Sequence, residues 1–226
     1  MTLHTEGYCI LSSNEILDND IILEDFENQL QNASPIFNSA KNDKKRLQTN
    51  LKINRKNHAF IQSIDTMVRG LNPLLTPSNW VILKSKPGCS PQSAHLDYEY
   101  SDELLEASKD PAKIPLLVLV AVMPNTKIYI WKHSQKIIRE RYRGPPVLPT
   151  TIELQPGDVF VFRADMIHAG ADYPEENIRI HCYLDSPHVK RNPNRTWIIQ
   201  KHAPDTISKH VVEANNPFGQ HAESVL

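Results

Sequence analysis

The sequence predicts a mainly β protein with supporting helices, and three observations carry that expectation. Between Ile114 and Leu184, short runs rich in Val, Ile, Phe and Tyr recur between Pro, Gly, Asn and Asp, the mark of strands joined by turns. Extended helical periodicity is confined to the first 70 residues. The 226 residues contain no internal repeat and no second core, and β sandwiches and barrels of this size are usually single domains. One domain over 1–226 is expected, with helical support at 12–70, a β core at about 80–200 and a polar C-terminal tail at 201–226.

Each element has its own signal. Tyr8 to Leu11 reads as a first strand. Ile16 to Gln31 spaces its apolar residues at a near-helical period with acids early, an amphipathic helix. His58 to Arg69 repeats that spacing and meets Gly70, a glycine stop. Trp80 to Lys84 opens the β core, and Ser101-Asp102-Glu103 ahead of Leu104-Leu105 marks a short helix or lid. Ile114 to Met123, the longest apolar run, is too short to cross a bilayer and reads as a buried strand. Tyr129 and Trp131 alternate with Ile128 and Ile130, and all four are expected in sheet core. Pro156-Gly157-Asp158 is a turn, and Val159 to Phe162 after it a buried strand. Past Asp185 the chain turns polar, with Pro187, Asn192, Pro193 and Asn194. Trp197 to Ile199 reads as one more pairing strand, and the last dozen residues as loosely ordered.

Composition narrows the function classes. Twenty-five Lys and Arg against 26 Asp and Glu leave a formal charge of −1, which argues against a general polyanion binder. The basic residues cluster, however: Lys41, Lys44, Lys45, Arg46, Lys52, Arg55 and Lys56 face one acid, Asp43. A solvated loop or helix face is the expectation there, with a nucleotide or nucleic-acid contact as the alternative. Cys9, Cys89 and Cys182 form no motif and suit a reducing compartment. The N-terminus lacks a basic start and an apolar signal core, so a cytoplasmic or nuclear location without membrane insertion is expected.

The chemistry concentrates in two segments. In His95-Leu96-Asp97 an extended backbone sends residues i and i+2 to one side, so imidazole and carboxylate can grip one metal ion. His168, following the Val159 to Phe162 strand after a short polar break, completes a two-histidine, one-carboxylate set suited to Fe(II) with positions left open. The next strand alternates strictly: Ile178, Ile180, Cys182 and Leu184 share one face, and Arg179, His181 and Tyr183 the other. That second face is either solvent-exposed or lines a polar cavity, and the nearby ligand pattern favours a cavity.

The order His95-x-Asp97, His168, Arg179 resembles the Fe(II)/2-oxoglutarate-dependent dioxygenases, in particular their phytanoyl-CoA dioxygenase-like and prolyl 4-hydroxylase-like branches. Lys86-Pro87-Gly88-Cys89 is similar to the turn before the first ligands there, and Leu154 to Phe162 to the strand leading into the distal histidine. Asn125 to Ser134 resembles the strand that ends in Ser-His in the first branch, although here the order is His133-Ser134. Gly7 to Leu11 resembles that branch's opening strand. The resemblance implies a double-stranded β-helix, or jelly roll. It implies Fe(II) on His95, Asp97 and His168, with 2-oxoglutarate as cosubstrate paired through its far carboxylate to Arg179, and O2 as oxidant. It also implies decarboxylation of 2-oxoglutarate to succinate and CO2, coupled to hydroxylation of a substrate. Arginine rather than lysine at 179 departs from the prolyl-hydroxylase pattern and tilts the expectation to a small-molecule substrate, with a peptide or nucleic acid still open. A catalytically silent binding module of the same fold is the non-enzymatic alternative.

Other residues carry weaker expectations. His181 and Tyr183 could hydrogen-bond the cosubstrate or an iron ligand, or be packed and satisfied. Tyr98 and Tyr100 could border the substrate mouth or be strand aromatics. Lys84 and Lys86 read as solvated strand-end lysines, with contact to an anionic substrate as the alternative. Asp165 could accept a substrate hydrogen bond.

Overall fold

The computed structural model describes residues 3–12, 19–36, 44–136, 148–193, 195–199 and the backbone of 211–213. In chain order these form α1 (Leu3–Glu6), β1 (Tyr8–Ser12), α2 (Asn19–Gln29) running into a 3-10 turn (Leu30–Asn32), β2 (Ser34–Pro35), β3 (Arg46–Asn50) and α3 (His58–Arg69). There follow β4 (Thr76–Ser85), β5 (His95–Leu96), α4 (Asp102–Ala107), β6 (Leu116–Ala121), β7 (Thr126–Ile130) and β8 (Thr150–Leu154). The last are β9 (Asp158–Arg163), β10 (His168–Gly170), β11 (Asn177–Asp185), β12 (Arg195–Ile198) and β13 (Val211–Glu213).

The strands make two antiparallel sheets. The larger runs β1-β9-β6-β11-β4-β3-β2 and the smaller β13-β12-β5-β10-β7-β8. Consecutive strands β9, β10 and β11 alternate between the sheets, as β4, β5 and β6 do, which winds the chain into a jelly roll. Both faces of β6 and β9 are covered, and nearly every residue in them is buried, which is why their sequences read as continuous apolar runs. Phe26 of α2 and Phe60, Ile61, Ile64 and Val68 of α3 join the same core as these strands. The helices thus add to the apolar core of the larger sheet.

Local signals are realised in detail. α3 spans the residues its apolar period marks, with Phe60, Ile61, Ile64 and Val68 as the buried stripe. Gly70 caps it at φ −62°, so the glycine is not needed for a left-handed turn. Ser101 caps α4 by accepting a hydrogen bond from the Leu104 amide at 3.3 Å. Gly157 does use its freedom, turning at φ 89° into β9. The expected helix from Ile16 is observed from Asn19, residues 13–18 lying outside those described. The expected loose ordering of the last dozen residues also lies outside them.

One expectation is corrected. The basic run is solvated as expected at Lys44, Lys45, Lys52, Arg55 and Lys56, which are exposed in turns and loops, but its residues 46–50 form β3, which pairs with β4 from Arg46↔Ser85 to Asn50↔Val81. Arg46 is fully buried because backbone carbonyls replace water around its guanidinium. Lys41, Asn42 and Asp43 lie outside the described residues. Among the described residues no helix is long and apolar enough to cross a membrane, and Cys9, Cys89 and Cys182 are free thiols.

Candidate metal centre and its cavity

β5 and β10 are neighbours in the smaller sheet, and their register sets His95 directly opposite His168. The imidazole rings meet edge-on with centroids 4.5 Å apart. Alternation along the short β5 turns Leu96 the other way, into a cluster with Ile167 and Trp197, and brings Asp97 round to the side of His95. One ligand atom from each of His95, Asp97 and His168 lies within 4.8 Å of the others. His95 and Asp97 stand more than 70 positions before His168 in the sequence, and the fold brings them together.

The chemistry of the three side chains fits a divalent metal. His95 Nδ1 lies 2.7 Å from the Ser93 carbonyl oxygen and His168 Nδ1 3.1 Å from that of Met166. A carbonyl only accepts, so each Nδ1 carries the proton and each Nε2 presents its lone pair. Both Nε2 atoms face Asp97 Oδ1, at 3.6 Å and 3.8 Å. These separations are too long for hydrogen bonds. They are longer than the roughly 3 Å that separates two ligand atoms bound at right angles to one ion at ~2.1 Å, so a bound ion would draw the three side chains together. Oxygen Oδ2, on the other side of the carboxylate, accepts a hydrogen bond from the Tyr183 hydroxyl at 3.0 Å.

Electrostatics prepare the same set. Burial alone would raise the Asp97 pKa, but His168, His95, His181 and the Tyr183 hydrogen bond outweigh it and hold the carboxylate below its ordinary range. Burial pushes His168 below the usual imidazole value against the pull of Asp97, so its Nε2 is unprotonated at neutral pH. Burial also takes His181 down to about 4, with Asp97 opposing and Arg191 and Arg179 reinforcing. The Tyr183 phenol is pushed well up by burial and then by Asp97, so it remains a donor.

β11 supplies the opposite wall. Its alternation holds as expected: Ile178, Ile180, Cys182 and Leu184 enter the core, while Arg179, His181 and Tyr183 line a cavity of about 130 Å³ that also contains the triad. Gln48, Gln92, Leu119, Phe162, Arg191 and Thr196 contribute to the lining. Arg179 is 4% exposed, donates to Ser85 Oγ at 3.0 Å and lies over the Tyr173 ring at 5.2 Å. His181 meets the Tyr183 ring edge-on at 4.7 Å.

Several secondary expectations resolve. Asp165 is fully buried and takes both oxygens to Arg163, at 2.9 Å and 2.7 Å, so it is an internal ion pair and not a substrate acceptor. Tyr98 is fully buried with its hydroxyl on Asp185 Oδ1 at 2.7 Å, and Tyr100 packs beside Leu96, Ile167 and Trp197. Lys84 pairs with Glu176 at 2.7 Å. Ile128 and Ile130 are core, whereas Tyr129 and Trp131 are half-buried on the other face of β7, where the Tyr129 hydroxyl donates to Asp172. Ser134 accepts from the Ile167 amide at 2.8 Å, anchoring the residue just before His168. Arg191, which no sequence pattern singled out, stacks on the Tyr183 ring at 3.7 Å and donates to Asp185 at 3.1 Å.

No protein-family model and no curated protein matches the sequence. The structure is similar to the non-haem α-ketoglutarate-dependent carbocyclase SnoK from nogalamycin biosynthesis, with TM-score 0.56 and 14% identity over 87% of this chain and 83% of that one. It is similar to the non-haem α-ketoglutarate-dependent epimerase SnoN from the same biosynthesis, with TM-score 0.53 and 17% identity over 81% and 79%. It is also similar to a Pseudomonas putida prolyl-4-hydroxylase, with TM-score 0.55 and 11% identity over 81% and 95%. At these identities the likeness establishes the fold, the double-stranded β-helix of the 2-oxoglutarate-dependent oxygenases. Within that fold this chain carries a buried His-Asp-His cluster and a buried arginine in one cavity.

Proposed function

We propose that this protein is an Fe(II)- and 2-oxoglutarate-dependent oxygenase that hydroxylates a small molecule. The observation that carries the proposal is the shared cavity: three metal-ligand atoms within 4.8 Å of one another and, on the facing strand, the buried guanidinium of Arg179. When bound, iron with 2-oxoglutarate supplies the oxidising chemistry, using O2 and releasing succinate and CO2. The chain's own residues do the rest. His95, Asp97 and His168 would hold the metal on one side only, leaving its other positions open. Tyr183 orients Asp97 and neutralises part of its charge. Arg179 would take the far carboxylate of the cosubstrate in two parallel hydrogen bonds, in a setting where burial strengthens them.

A small-molecule substrate is supported by what does not border the cavity. A peptide substrate would call for an open groove beside Tyr98 to Leu105, whereas Tyr98 and Leu104 are buried and no residue from 98 to 105 lines the cavity. None of the basic residues between 44 and 56 lines it either, so the cavity offers a nucleic-acid substrate no contact with that run. The structural relatives include enzymes of natural-product biosynthesis and a prolyl hydroxylase.

The test is succinate formation by purified protein given Fe(II), 2-oxoglutarate and O2 without added substrate, followed by a screen of small molecules for stimulation. Succinate that requires iron and vanishes in Asp97→Ala and His168→Ala, each folded by circular dichroism, is expected. Iron-loaded protein that makes no succinate with any compound would favour the silent binding module instead.

A further inference from the structure

We infer that Arg46, from the basic segment ahead of the core, is a positioning residue that sets the geometry of the metal centre and of the cosubstrate arginine together. This rests on the iron and 2-oxoglutarate proposal above and adds a residue outside its cavity. Arg46 enters from β3, and no residue of that strand except Gln48 lines the cavity. Its Nη2 donates to the carbonyl oxygens of Ser90 at 2.6 Å, Ala171 at 2.7 Å and Gly170 at 3.4 Å. Its Nη1 donates to Ser85 Oγ at 3.3 Å.

Those acceptors belong to the segments that present the site. Ser90 lies just upstream of His95, and Gly170 and Ala171 just downstream of His168. Ser85 is the same hydroxyl that accepts from Arg179. One guanidinium therefore joins the approach to the first ligand, the exit from the distal ligand and the anchor of the cosubstrate arginine. A second link runs parallel to it: the Gln92 amide donates to the Gly170 carbonyl at 2.9 Å, and the Gly170 amide donates to Gln92 Oε1 at 2.9 Å. The packing at this junction is tight. A Cβ at Gly170 would collide with the Gln92 side chain and lie 2.9 Å from Arg46 Nη1, so a larger residue there would displace the ends of both side chains.

Charge and shape both require arginine. The planar fork reaches several carbonyls from one fixed plane, whereas a lysine ammonium has three donors at a single point. A shorter or neutral side chain would leave the buried Ala171 carbonyl without this donor and release the Ser90 carbonyl from it. The segments would then relax, and metal sites lose affinity for displacements of about half an ångström.

The experiment uses full-length protein, wild type and three variants, under anaerobic conditions. Co(II) is titrated in place of iron and followed by its visible d–d absorption, and 2-oxoglutarate is then titrated into the Co(II) protein. Arg46→Lys is expected to weaken Co(II) binding about ten-fold, to shift the d–d band and to raise the 2-oxoglutarate requirement. Ser85→Ala is expected to raise only the 2-oxoglutarate requirement. Phe26→Leu in α2, which loosens the core away from the cavity, should lower thermal stability and leave both titrations unchanged. Arg46→Lys that binds Co(II) within about two-fold of wild type, with the same band, overturns the inference. Should Arg46→Lys not fold, Gln92→Ala removes the side-chain half of the parallel link and leaves the backbone bond from Gln92 to Gly170, and unaltered Co(II) affinity in that variant overturns it equally. Wild-type protein that does not bind Co(II) at all overturns the metal-centre proposal, and the inference with it.

Discussion

Replacing Tyr183 with phenylalanine deletes one oxygen and leaves the ring. The Arg191 guanidinium 3.7 Å above that ring and the edge contact with His181 are retained, so the perturbation falls on the hydrogen bond to Asp97 Oδ2 at 3.0 Å. That bond is made to a charged acceptor, and such bonds are worth about 1.5–3 kcal/mol. Part of this returns through relaxation of the carboxylate, and changes to groups that orient metal ligands typically cost 10–100-fold in affinity. A loss of about 10- to 50-fold in Fe(II) or Co(II) affinity is therefore expected, or roughly 1.4–2.3 kcal/mol. Anaerobic metal titration at fixed pH measures it, with 2-oxoglutarate absent. If Tyr183 instead serves the cosubstrate, metal affinity stays at the wild-type value and only the 2-oxoglutarate requirement rises. That outcome would refute an orienting role for Tyr183 on Asp97.

Three further outcomes are expected. Arg179→Ala should raise the apparent 2-oxoglutarate requirement by on the order of 10–100-fold, since a buried carboxylate loses a charged donor pair; initial-rate kinetics measure this. Asp165→Ala leaves the Arg163 guanidinium buried without its carboxylate and should cost about 3–5 kcal/mol in denaturant unfolding; a loss under about 1 kcal/mol would show the pair to be dispensable. His181 is held neutral, at about 4 folded against about 6.5 unfolded, so the unfolded chain binds more protons between those values and stability falls as pH drops. Metal-free protein should lose about 2 kcal/mol from this group between about pH 8 and pH 5, and His181→Phe should lack that increment.

What the sequence made legible and what it concealed divide along physical lines. Features with a local period or a fixed spacing were readable: the α3 stripe, the two faces of β11, the Ser101 cap, and His95-x-Asp97 on an extended segment. His168 and Arg179 were readable because a turn and an apolar strand set the order of elements that precede them. Arg46 was not, because it is satisfied by main-chain carbonyls that leave no complementary acid in the sequence. Composition alone therefore placed it in solvent with the exposed basic residues around it. Asp165 misled for the converse reason: its partner Arg163 sits two residues away and pairs with it only because the chain turns at the end of β9. Arg191 follows β11 on a connection without periodicity, so its place over Tyr183 is a property of the fold. Tyr183 was assigned to the right face, but the bond of its hydroxyl to Asp97 was visible only in the structure.

The most direct measurement is the visible absorption of anaerobic protein with Fe(II) and 2-oxoglutarate, wild type beside Arg179→Ala. A metal-to-ligand charge-transfer band that forms in the wild type, and in the variant only at much higher 2-oxoglutarate, is the predicted result. An iron-loaded wild type that shows no such band at any 2-oxoglutarate concentration would contradict the assignment of this cavity to iron and its cosubstrate.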